Sequence, residues 1–206
     1  MNFSCGPAHD QKIFEITVPD ATRIGVLVSG GIDSALLYYL LLHVKNLTNS
    51  KTDIIPLIML RKEGSKYFAS PIVEKINSLF NIQRKPYRIG DNTLPETEQI
   101  KSAVVQAFNI FKIEYIFIGA IHNRPEHMIG FDTIEIPELP HVVIPFRKLE
   151  KSHVIDIFYQ LQIEHLLSFT HSCDQQELTA CGECNGCRER SWGFEQIGKS
   201  DPIFST

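Results

Sequence analysis

The chain has 206 residues, 43% of them hydrophobic and 21% charged. That composition excludes a disordered or fibrous protein and fits one α/β domain with a small appendage. Twenty Lys and Arg against 24 Asp and Glu give a net charge of −4, which argues against a strong nucleic-acid footprint built on surplus positive charge. The longest apolar run, Ala35 to Leu42, stops at His43 and is too short to span a bilayer. The first residues also lack the basic start and apolar block of a secretion signal. A cytoplasmic protein with no membrane contact is expected.

Arg23 to Val28 is an apolar run ending on Ser-Gly-Gly and reads as a buried parallel strand, and good helix formers follow from Ser34 to Lys45. Asp53 to Leu60 reads as a second strand, and Tyr67 to Phe80 carries helical spacing through Phe68, Ile72, Ile76 and Leu79. Lys85 to Ile89 is a weaker strand. Pro95 to Lys112 reads as an amphipathic helix, with Ile100, Val104, Ala107, Phe108 and Phe111 on one stripe. Tyr115 to Ala120 and His141 to Phe146 read as strands, and Lys148 to Gln162 as a helix. This alternation predicts an α/β fold, a doubly wound parallel sheet covered on both faces. Ligands of such sheets bind at the carboxyl ends of the strands, so the loops after Val28, Leu60 and Ala120 are the places to search, and Met59 and Leu60 are read as lining a nucleotide. Composition shifts at about Ser168, which divides the chain into an α/β domain, 1–168, and a C-terminal segment, 169–206.

Ser29-Gly30-Gly31-Ile32-Asp33-Ser34 lies where the first apolar strand hands over to a helix. Adjacent glycines let successive amides converge on one anion, and the helix start adds its own amides and positive dipole end. The hydroxyls of Ser29 and Ser34 suit phosphate oxygens, and the Asp33 carboxylate suits a magnesium ion. The plainer alternative makes Asp33 or Ser34 an N-cap and the glycines a turn. Of the five cysteines, Cys5 stands alone, while Cys173, Cys181, Cys184 and Cys187 fall within fifteen residues. An odd total without an export signal argues against disulfides, and four thiolates at this spacing fit a closed zinc site, with an iron–sulfur cluster as the rival. His171 reads as a neighbour of that set. His9, His43, His141, His153 and His165 show no partner spacing and read as ordinary surface or core residues.

Residues 29–34 resemble the SGGxDS signature of the PP-loop ATP pyrophosphatases, which split ATP between its α and β phosphates. The resemblance implies the adenine-nucleotide alpha-hydrolase-like fold and ATP as ligand. A narrower likeness is carried by Thr170-His-Ser-Cys173, Cys181-Gly-Glu-Cys184-Asn-Gly-Cys187, Arg190, Gly193-Phe194, Gly198 and Asp201-Pro202, and by Ile144-Pro145-Phe146 with Leu149 and Lys151. Together these are similar to the 7-cyano-7-deazaguanine synthase (QueC) family. That family adenylates the carboxylate of 7-carboxy-7-deazaguanine, adds ammonia to form an amide, and converts this to the nitrile in a second ATP-dependent round. For this chain the resemblance implies an ATP-dependent C–N ligase using magnesium and zinc, a homodimer, and a phosphate contact from Lys151, against the alternative that Lys151 lies on the exposed face of its helix.

The middle of the chain departs from that family. Leu60-Arg61-Lys62-Glu63-Gly64 stands for Tyr-Gly-Gln-Arg-His, Leu94-Pro95-Glu96-Thr97-Glu98 for Val-Pro-x-Arg-Asn, and His122-Asn123-Arg124-Pro125-Glu126-His127 for Tyr-Pro-Asp-Cys-Arg. The last segment keeps the address of a substrate site. His122, Asn123, Arg124 and Glu126 are its candidates, with Arg124 suited to a carboxylate and His122 or Glu126 to a proton, against the alternative of a solvated loop. Arg61 and Lys62 are similarly ambiguous. Two other functions stay open: adenylation of a different acceptor, such as a tRNA base or a protein, and nucleotide binding without chemistry.

Overall fold

A computed structural model describes residues 1–59, 65–91, 93–94, 96–121, 141–175 and 178–204. The apolar runs form a five-stranded sheet: β3 (Arg23–Leu27), β4 (Asp53–Met59), β5 (Tyr87–Ile89), β6 (Tyr115–Ile118) and β7 (Val142–Val143). Every pairing in it is parallel, in the order β5-β4-β3-β6-β7. The strand preceding the glycine loop is therefore central, and the order reverses between β3 and β6. In open parallel sheets that reversal opens a crevice at the carboxyl ends.

Side chains alternate between the two faces as period-two geometry requires. Ile24, Val26, Val28, Ile54 and Phe117 meet the helices α1 (Ile32–Thr48), α2 (Ser65–Leu79) and α4 (Lys151–Gln160). Leu27, Ile55, Leu57, Ile116 and Ile118 meet Ala103, Val104 and Ala107 of α3 (Glu96–Phe111). Of the amphipathic stripe predicted for α3, Val104, Ala107, Phe108 and Phe111 are on its sheet-facing side. α1 is apolar almost all round because it lies between the sheet and its helical neighbours, with Leu36, Leu37, Leu40 and Leu41 fully buried.

Two expected elements are shorter than the apolar patterns suggest. The strand read over His141 to Phe146 pairs only at Val142 and Val143, because it is an edge strand and Pro145 has no N–H to give the ladder. The helix read from Lys148 begins at Lys151, behind a capping box in which the Glu150 amide donates to His153 Nδ1 at 3.2 Å. Three further elements are additions to the sequence reading. β1 (Asn2–Cys5) and β2 (Lys12–Glu15) form an antiparallel hairpin, joined to the body by Phe14 against Phe146 and by the Gly6 amide donating to Asp156 of α4. α5 (Asn185–Gln196) begins inside the cysteine cluster and packs against α4, with Phe194 in the α1-side core. No helix among the described residues is long and apolar enough to cross a membrane.

Candidate active site

The loop from Ser29 to Ser34 sits at the carboxyl end of β3, beside the sheet reversal. Gly30 has φ +92°, a conformation side chains disfavour. The N-cap of α1 is Gly31, and no side chain caps the helix. That disposes of the plainer reading of Asp33 and Ser34 as N-caps: both lie inside the first turn. Ser34 Oγ accepts from the Ser29 amide at 3.1 Å and donates to the Gly31 carbonyl at 3.2 Å, while Ser29 Oγ lies 3.1 Å from it. The two hydroxyls therefore shape the loop from within. The amides of Ile32, Asp33 and Ser34 belong to the first turn, where no preceding helical carbonyl exists to take them. Ile32 contributes only main chain, since its side chain is buried in the core. Gly119, just after β6, meets the loop from the other side. A methyl group on Gly119 would lie 2.8 Å from the Asp33 carbonyl carbon, so main chain meets main chain there.

Asp33 and Lys151, 118 residues apart, meet at this loop. Lys151 Nζ donates to Asp33 Oδ2 at 2.6 Å and lies 3.4 Å from Glu189 Oε2 on α5. Burial of Lys151 works against its charge, but Asp33 and Glu189 outweigh that and hold its pKa above the ordinary lysine value. The ammonium is thus fixed beside the helix start, where it adds positive charge to that of the loop amides. Met59 ends β4 at the same sheet edge, with its side chain packed among Ile89 and the α3 core. Leu60, Arg61, Lys62, His122, Asn123, Arg124 and Glu126 lie outside the described residues.

Cys173, Cys181, Cys184 and Cys187 converge, with all four sulfurs within 4.8 Å of one another. Sulfur–sulfur distances are 3.6 Å for Cys173–Cys181, 3.8 Å for Cys173–Cys184 and 4.0 Å for Cys181–Cys187. Four thiolates bound at about 2.3 Å around one tetrahedral ion stand about 3.8 Å apart. The donor set therefore fits a single metal ion. Backbone amides add to the fit: those of Asp174 and Cys184 donate to the sulfurs of Cys184 and Cys181. The amides of Glu183 and Cys184 pull the Cys181 thiol down to about 7, while burial pushes Cys187 up. Cys5, by contrast, is buried in the hairpin, and that burial pushes its thiol up to about 12. A thiol so disposed packs and does not react.

The tail is tied to the loop directly. The His171 amide donates to the Gly30 carbonyl at 2.8 Å, and the His171 ring stacks on Phe68 of α2 with centroids 4.0 Å apart. Arg190, fully buried, donates to both carboxylate oxygens of Asp201, to Thr170 Oγ1 and to the Leu167 carbonyl. Sequence reasoning marked Arg190 only within a signature and gave no role to Glu189. Helical spacing counted from Cys187 would have placed Arg190 on the same face, had a helix been read there; Glu189, two residues on, falls off that face.

Residues 130–198 match the family model described as "Queuosine biosynthesis protein QueC". A 7-cyano-7-deazaguanine synthase from Aliarcobacter butzleri is 40% identical over 62 residues, 30% of this chain and 26% of that protein. One from Thermoplasma volcanium is 33% identical over 82 residues, 39% of this chain and 33% of that protein. The chain is similar to the QueC family. It spans a third or less of these two relatives' own length. Among solved structures, a U34-tRNA thiolase NcsA from Methanococcus maripaludis, described with its [4Fe-4S] cluster, aligns with a TM-score of 0.50 at 16% identity, over 89% of this chain and 67% of that one. The parallel-sheet α/β fold is thereby shared.

Proposed function

We propose that this protein binds ATP in the Ser29–Ser34 loop and adenylates a carboxylate to which ammonia is then added, as a 7-cyano-7-deazaguanine synthase or a divergent 7-deazapurine-modifying relative. The observation that carries the reading is the meeting of Asp33, Lys151 and the amides of the first turn of α1 at the sheet reversal, in a chain whose QueC-like segment includes Lys151. The loop amides and Lys151 would hold the phosphates and spread the charge that develops as a carboxylate oxygen attacks the α-phosphorus. The bond from that phosphorus to the pyrophosphate oxygen breaks, and ammonia then displaces AMP at the acyl carbon. Asp33 would hold magnesium, which supplies charge neutralisation of the phosphates. His122, Asn123, Arg124 and Glu126 are proposed for the substrate, and Met59 and Leu60 for the nucleotide.

Zinc is proposed for the four cysteines, because the all-sulfur tetrahedron with no open position is that ion's structural site. Residues 1–168 then form the nucleotide-binding body and 169–206 the metal-binding segment of a cytoplasmic homodimer. Incubation with ATP, ammonium and 7-carboxy-7-deazaguanine, followed by mass spectrometry, tests the reading: the amide or nitrile is expected together with pyrophosphate. Unchanged acid overturns it. The departures at residues 60–64, 94–98 and 122–127 favour a second reading, adenylation of another acceptor, which would give pyrophosphate with that acceptor and none with the deazaguanine acid.

A further inference from the structure

Lys151 is 4% exposed and has two carboxylates from different elements, Asp33 of the phosphate loop at 2.6 Å and Glu189 of α5 at 3.4 Å. Glu189 is itself buried, and it lies on the first turns of a helix whose N-cap is Cys184 and which Arg190 ties to Asp201 and Thr170. A buried ammonium needs a counter-charge, and a single carboxylate at the loop cannot serve both Lys151 and a metal-bound nucleotide equally well.

We infer that Glu189 is a positioning residue: it holds Lys151 in place beside the phosphate loop, so that Asp33 is released to the magnesium–nucleotide without Lys151 losing its partner. The inference rests on the adenylation reading for its catalytic consequence and on geometry alone for the ion triad. Two carboxylates that share one buried cation back each other up. Removing either leaves one, whereas removing both strands the charge. The four-cysteine segment thus reaches the reaction centre through one side chain of α5, beyond its role in local folding.

The test combines melting and kinetics on the full chain. Asp33→Asn and Glu189→Gln are each expected to lower Tm modestly, and the double variant by about 3 °C more than their sum. In a Lys151→Met background that excess vanishes. In pyrophosphate release, Glu189→Gln is expected to lower kcat about tenfold with KM for ATP little changed, metal content unchanged, and partial rescue by Glu189→Asp. Additive melting shifts, or an unchanged kcat in active protein, overturn the inference. Wild-type protein that releases no pyrophosphate overturns the adenylation reading instead, and the melting comparison then decides the triad by itself.

Discussion

At the residue scale, the central fact is that Asp33 and Lys151 form a 2.6 Å pair across 118 positions of sequence. Replacing Asp33 by Asn keeps the shape and removes the charge that would hold magnesium. Pyrophosphate release should fall by about a hundredfold or more, with circular dichroism unchanged, and a stopped-time pyrophosphate assay reads it. Arg190 is the structural counterpart. It is fully buried and anchors Asp201, Thr170 and Leu167. Arg190→Met should cost about 3–5 kcal/mol in denaturant unfolding, because it strips a buried carboxylate of its bidentate partner.

At the scale of elements, α5 depends on the cysteines. Its N-cap is Cys184 and Cys187 lies in its first turn, and its sequence carries few apolar residues to hold it by packing alone. Metal binding free energy is therefore partly folding free energy for this helix. Chelation, or Cys184→Ser, is expected to lower helical ellipticity and Tm together, with loss of metal in elemental analysis; unchanged melting after complete metal removal would contradict this. The same elements show what the sequence made legible. The strands of the sheet, α1, α3 and the loop between β3 and α1 could be read because long apolar patterns and adjacent glycines are local signals. α5 and the hairpin were not legible. The helix carries few apolar residues, Phe194 being its member of the described core, and four-residue strands such as Asn2–Cys5 leave too few alternations to register. The pairing of Glu189 with Lys151 was hidden for another reason, since it depends on how two helices cross.

At the scale of the whole molecule, the N-terminal hairpin and α4 are coupled through His153. Its Nδ1 accepts from the Glu150 amide, so the neutral ring carries its proton on Nε2, which donates to the Asp10 carbonyl at 2.9 Å. Burial, then nearby Lys12, pushes its pKa below 6.5, against the opposing influence of Asp10 and Glu150. A histidine kept neutral in the fold contributes stability that is complete above the unfolded pKa, near 6.5, and is lost as pH falls through the lower folded value. His43 and His171, lowered by burial as well, act in the same direction. Tm should therefore drop between pH 7.5 and 5, and His153→Gln should make that slope shallower while lowering Tm at pH 7.5.

The hydrogen bond from the His171 amide to the Gly30 carbonyl ties the cysteine segment to the glycine loop at the carboxyl end of β3. A shortened protein ending near residue 168 would keep every strand of its sheet and still leave the glycine loop slack and unbuttressed. A foreign tail grafted onto this body would have to restore that main-chain latch in register, together with the Glu189–Lys151 pair and the place of Phe194 in the core.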